Sequence, residues 1–263
     1  MKYLIISTLF LLSLVAHAED NRDISFFDGA KTIHLKFTDV VNDEYIVDVL
    51  WMPNYERAPA LSGPAVISFI KDGGHSFSVS ADAFHFPLNM IEGLSLSDSI
   101  DLNKVYPIKY DSLKGMSLLD NSHQDLSRQN IAPFFFEDID FDEKKELILV
   151  NTQEGQRHGD SYTIYKPTYK YGNIYNLATR KPFDMLDQKT VFNKENRTID
   201  IFSSGGACAN SNERFKLIDG KYVSIKFTNW DHYTDDAKGS VCVESIYTVI
   251  DGKRVLKTKS ESH

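Results

Sequence analysis

The densest chemistry in the chain is Glu137-Asp138-Ile139-Asp140-Phe141-Asp142-Glu143-Lys144-Lys145-Glu146, which runs directly into the apolar stretch Leu147-Ile148-Leu149-Val150. Asp138, Asp140 and Asp142 stand at i, i+2 and i+4, and Glu146 follows at i+8. Alternate side chains of a curled backbone converge on one point, and calcium takes roughly six to eight hard oxygen ligands, so this spacing points to a calcium loop. The backbone carbonyl of Lys144 is expected to add a ligand to the four carboxylates. Holding that many carboxylates together without a cation is electrostatically costly. The loop is not an EF-hand, because its twelfth position, where a bidentate acid belongs, is Leu149. The alternative is a solvated acidic turn offset by Lys144 and Lys145.

Other chemistry is sparse. Of eight histidines, seven lie beyond residue 18, dispersed and without HExxH or any paired spacing, so no zinc hydrolase ligand set is visible. There is no GxSxG elbow and no Gly-rich phosphate loop, and the chain is read as a binding protein rather than an enzyme. Three surface features remain as partner contacts. One is the loop Gln153–Asp160, with Gln156, Arg157 and His158. Another is the flexible Ser203–Ala207, with Ser204 and Gly205. The third is Trp230, set in the polar, turn-like run Thr228-Asn229-Trp230-Asp231-His232-Tyr233, where an exposed indole is a typical binding anchor and a core role is the alternative.

The stretch PFFFEDIDFDEKKELILVNTQEGQRHGDSYTIYKP, Pro133 to Pro167, resembles a family of exported bacterial β-proteins with an FG-GAP-like calcium loop, followed by a strand, a turn with Gln and Gly, and a YxxY-like strand. The resemblance continues loosely through GGACANSNERFKLIDGKYVSIKF. That family includes periplasmic inhibitors, lysozyme-inhibitor-like in role, that protect a cell from peptidoglycan-cleaving effectors. It implies calcium as cofactor, a cell-wall hydrolase or effector toxin as partner, and inhibition by a loop inserted into the enzyme's cleft. Such calcium loops carry Gly after the third Asp. Here that residue is Glu143, so either a left-handed non-glycine residue or an altered turn is expected.

The elements that must position these residues read as strands. Short alternating runs such as Thr32–Thr38, Tyr45–Trp51, Glu146–Asn151, Tyr222–Phe227 and Val241–Ile250 are rich in β-branched and aromatic residues and are bounded by Gly, Asp, Asn and Pro. The fold expected is all-β or nearly so, with antiparallel sheets in a sandwich or propeller-like arrangement built from hairpins. Asp72-Gly73-Gly74, Asp219-Gly220 and Asp251-Gly252 are expected hairpin turns, since Asp-Gly suits a type I′ turn. The last two sit in identical Ile-Asp-Gly-Lys tetrapeptides, each after a cysteine, which is either a weak duplication or coincidence.

The chain has 263 residues with 29 Lys and Arg against 37 Asp and Glu, the composition of a soluble globular protein. Lys2, the apolar run Leu4–Val15 and Ala16-His17-Ala18 form an expected secretory signal, residues 1–18, with the mature chain starting at Glu19. Removing Lys2 leaves 28 basic and 37 acidic residues, a net charge of −9. A net acidic charge makes nucleic acid and anionic membrane surfaces poor expected partners, since both would repel the protein, and no further segment is apolar enough to span a bilayer. The expected location is the periplasm or outside the cell. There, the only two cysteines, Cys208 and Cys242, are most simply a disulfide. The expected units are an N-terminal β-unit to about 110, a connector over 111–130 and a C-terminal β-unit from 131, with one continuous sandwich or barrel as the alternative. The functional expectation is a calcium-binding inhibitor of a peptidoglycan-degrading enzyme. A calcium-stabilised, propeller-like or adhesion-type module for a sugar or surface protein is the alternative.

Overall fold

The computed structural model describes residues 32–40, 44–54, 62–71, 76–87, 90–91, 104–110, 113, 117–120, 132–151, 161–168, 174–206, 208–235 and 239–262. Alternation of apolar and polar side chains becomes alternation of burial. β1 (Ile33–Val40) sends Ile33, Leu35 and Phe37 inward, and β2 (Tyr45–Trp51) does the same with Tyr45, Val47, Val49 and Trp51. With β3 (Ser62–Ile70), β4 (Phe77–His85), β5 (Val105–Lys109), β6 (Phe134–Glu137), β7 (Glu146–Asn151), β8 (Ser161–Thr168) and β9 (Ile174–Leu177), they form one nine-stranded sheet. Its order is β5-β1-β2-β3-β4-β7-β8-β9, with β6 also on β7. The neighbouring pairs are antiparallel except β1 with β5.

The second sheet is a six-stranded meander of β10 (Val191–Asn193), β11 (Thr198–Ser204), β12 (Asn210–Ile218), β13 (Lys221–Asp235), β14 (Gly239–Ile250) and β15 (Lys253–Ser262). The protein is thus all-β, with no α-helix among the described residues, and none there long and apolar enough to cross a membrane. β6–β9, read from sequence as part of a C-terminal unit, instead extend the first sheet. The sheets divide between Leu177 and Val191, not over residues 111–130.

β7 joins the two halves of the core. Leu147 and Leu149 enter a first cluster with Phe37, Phe69 and Phe134, while Ile148 and Val150 enter a second with Phe135, Ile199, Ile201 and Phe215. A strand buried on both faces must be apolar at successive positions, which is why LILV shows no alternation. The Asp219-Gly220 and Asp251-Gly252 turns adopt φ of 49° and 73°, and of 50° and 73°, the paired left-handed residues of a type I′ turn. The expected Asp72-Gly73-Gly74 turn and the expected signal segment lie outside the described residues. Cys208 and Cys242 form a disulfide with a Cα–Cα distance of 5.7 Å. It ties the β11–β12 loop to β14 across β13.

Candidate metal centre

The acidic run is the connection of the β6–β7 hairpin, whose strands pair Glu137 with Glu146. Within it the alternation Asp-Ile-Asp-Phe does the positioning. Ile139 and Phe141 are buried in the second core cluster, which leaves Asp138 and Asp140 on the opposite side of the loop. Burying two such side chains is worth several kcal/mol, at roughly 1.5–3 kcal/mol each, enough to hold the loop against carboxylate repulsion. One carboxylate oxygen each from Asp138, Asp140 and Glu146 lie within 4.8 Å of one another.

The backbone curls through two left-handed residues, Phe141 at φ 62° and Glu143 at φ 68°. Glu143 therefore adopts the conformation in which glycine is the usual residue, at a conformational cost the loop must offset. Amide donors supply part of that offset. Asp142 N–H donates to Asp138 Oδ1 at 3.1 Å and to Asp140 Oδ1 at 3.2 Å, and Glu143 N–H donates to Asp138 Oδ2 at 3.1 Å. Asp142 does not join the three converging carboxylates. It accepts the Lys144 amide at 2.9 Å and pairs with the Lys144 ammonium at 3.4 Å. Lys144, expected to offer its carbonyl, is fixed to Asp142 through these two donors.

Glu146 is the unusual member. Its side chain sits in a residue only 1% exposed, with Oε2 accepting the Ile139 amide at 2.9 Å. Burial first, and the neighbouring Asp140 next, push its pKa up to about 8 from the ordinary 4.5. The Asp140 carboxyl is also raised, by burial that outweighs the Lys166 ammonium bonded to Oδ2 at 2.5 Å. The Tyr222 phenol is raised too, by burial and then by Asp140, Glu146 and Asp138. Burial is the leading cause in all three, and at Glu146 and Tyr222 the neighbouring carboxylates add to it. The donor set is hard oxygen, clustered and charged, and it fits calcium better than a soft metal.

Two residues that the acidic spacing did not indicate close the site. Lys166 lies on β8, one step beyond the Leu147–Tyr165 pair and so opposite Glu146. Its ammonium is 3.8 Å from the centroid of the Phe183 ring. Tyr222, on β13, donates its hydroxyl to the Asp140 carbonyl at 3.1 Å and packs edge-on against Phe183 at 5.1 Å. The β7–β8 register, counted back from Tyr162–Tyr165, is the sequence signal for Lys166. Tyr222 has no comparable local signal, because it arrives from the other sheet. Glu137, first of the acidic run, is engaged elsewhere, accepting from the Ser117 hydroxyl and, at 2.6 Å, from the Leu118 amide.

The expected partner contacts divide. Gln156, Arg157 and His158, with the rest of Gln153–Asp160, lie outside the described residues, as does Ala207. Ser204 pairs through Asn210 with Trp230 along one row of the second sheet, so these three share a face, and the Trp230 and Phe202 rings are 6.4 Å apart. Trp230 is partly exposed rather than in the core, whereas Trp51 is fully buried. Gly205 begins a tight exposed loop closed by its amide on the Ala209 carbonyl at 2.5 Å and by the Cys208 disulfide. A Cβ at Gly205 would stand 2.9 Å from that carbonyl oxygen.

No family model and no curated protein sequence matches the chain. Among solved structures, one described as a Xanthomonas type IV secretion system related protein superposes with a TM-score of 0.52. The match covers 82% of this chain and 90% of that one at 14% identity, a likeness of fold alone.

Proposed function

We propose that the protein is an exported, calcium-binding inhibitor of a peptidoglycan-degrading enzyme, acting in the periplasm. The observation that carries the reading is the convergence of Asp138, Asp140 and Glu146 at the mouth of the β6–β7 hairpin, with Glu146 nearly fully buried. Calcium there would neutralise the cluster and stiffen the loop. Asp138, Asp140 and Glu146 hold the ion, and Lys166 balances the remaining charge on Asp140. The expected leader and the disulfide agree with an oxidising compartment outside the cytosol.

Inhibition in this reading works by exclusion. The Ser204–Trp230 row, beside Gly205 and the Cys208 disulfide, would present the contact surface. Together with Gln153–Asp160, it would occupy a glycosidase or amidase cleft. The net charge of −9 beyond the leader suits a basic partner that works on an anionic polymer. The test is inhibition of purified muramidases and amidases, beginning with any encoded beside this gene, in calcium. Saturable inhibition supports the reading, and failure to bind or inhibit any of them removes it.

A further inference from the structure

The two Ile-Asp-Gly-Lys turns lie side by side. In the order β12-β13-β14-β15, the β12–β13 and β14–β15 turns fall at the same end of the sheet. The register also fixes which side chains share the face turned away from the core. Arg214 pairs with Lys226, Lys226 with Thr248 and Thr248 with Val255, while Lys216 pairs with Val223, Ile218 with Lys221 and Ile250 with Lys253. Phe215, Leu217 and Tyr222 belong to the opposite face and pack on the second core.

The outward face therefore carries four aliphatic side chains, Ile218, Val223, Ile250 and Val255, exposed to 43%, 41%, 50% and 41%. Interleaved with them are Lys216, Lys221, Lys226 and Lys253, all exposed, with no ion pair among the described residues occupying their ammonium groups. Among the described residues, the only strand carboxylate on this face from the Arg214 row to the turns is Asp200, and the turns add the exposed Asp219 and Asp251, fewer than the four lysines and Arg214. Asp200 is already held by Arg214 through two bonds of 2.6 and 2.7 Å. A chain that is net acidic thus has one cationic, aliphatic face, on the side of the sheet away from the acidic loop that Tyr222 contacts.

We propose that this face is a docking surface for an anionic lipid bilayer. Charge complementarity selects the partner's sign, and the side-chain types select its kind. Lysine is a flexible point charge that follows mobile headgroups, where arginine would favour fixed carboxylate or phosphate pairs. Isoleucine and valine between the lysines enter the headgroup boundary while the ammonium groups stay at its level. The patch has no exposed aromatic ring on which nucleic-acid bases would stack. Net charge averages over this face and the acidic remainder, and the attraction acts within a Debye length of the lysines.

The experiment is co-sedimentation of protein beginning at Glu19 with phosphatidylcholine vesicles, with and without phosphatidylglycerol. The wild type is expected to bind the anionic vesicles only and to be released by salt. Each lysine is worth about fivefold in partition, so Lys221→Ser with Lys253→Ser should weaken binding about 25-fold. Ile218→Ser with Ile250→Ser should weaken it independently, at an unchanged melting midpoint. Lys104→Ser with Arg180→Ser, which removes the same charge elsewhere, should leave binding near wild type. No binding of the wild type to anionic vesicles, binding unaffected by both tip pairs, or equal weakening by the control pair overturns the proposal. So does capture of an acidic protein by this face without vesicle binding.

Discussion

Replacing Glu146 by Gln should remove most of the response of stability to pH and to calcium. An ordinary glutamate titrates near 4.5 and this one at about 8, so between those values it is protonated in the fold and ionised in the unfolded chain. The native state then binds more protons, and stability without metal must fall as pH rises from about 5 to 8. At about 1.4 kcal/mol for each pH unit, full ionisation costs about 5 kcal/mol. In a chain of this size that corresponds to a melting midpoint lower by roughly 10–20 °C. Asp140, raised in the same direction, adds to the slope, and Lys166 and the amide of Ile139 oppose it. Calcium favours the ionised carboxylate, so saturating calcium should abolish this fall and leave the midpoint nearly independent of pH over the same window. The assay is a set of thermal melts from pH 5 to 8, in chelator and in calcium, for wild type and Glu146→Gln. The variant should lose most of the slope in chelator and gain nothing from calcium. A wild-type midpoint independent of pH in chelator, or a variant with the wild-type slope, refutes the argument.

Other substitutions address the same architecture. Tyr222→Phe removes the hydroxyl bond to the Asp140 carbonyl and should cost about 1 kcal/mol in urea unfolding, with weaker calcium binding. Ile139→Ala empties a fully buried position under the loop and should cost about 2–4 kcal/mol, checked by the same unfolding curve. Cys208→Ser with Cys242→Ser opens a link across 34 residues and should lower stability by about 3–4 kcal/mol, the loss matched by wild type in reductant. Trp230→Ala should leave the melting midpoint unchanged and weaken target binding at least about tenfold in titration calorimetry.

Much of this fold is legible in the sequence wherever one face of a strand meets water. β2 and β7 begin and end at the residues their patterns indicate, Tyr45–Trp51 and Glu146–Asn151. The two Asp-Gly turns follow from backbone sterics alone. β5 is hidden by Pro107 and polar surroundings, and it is tolerated because it pairs only at the sheet edge. β6, Phe134–Glu137, has no alternation because Phe134 and Phe135 serve different cores. β7 is a wall shared by both clusters, so its own pattern does not say which part of the core it serves. At the site, the three convergent carboxylates are local and follow from spacing. Asp142 departs because the left-handed Glu143 turns the chain and brings the Lys144 donors onto it. Lys166 and Tyr222 depend on strand pairing and sheet packing over 26 and 82 residues, which local spacing does not encode.

The most direct test of the central claim is calorimetric titration of calcium into chelator-stripped protein at pH 7, in buffers of differing ionisation enthalpy. The account predicts saturable binding at one site per chain, accompanied by release of up to about one proton as Glu146 ionises, and absent in Asp140→Asn. No saturable heat from the wild type, or the same isotherm from Asp140→Asn, would contradict it.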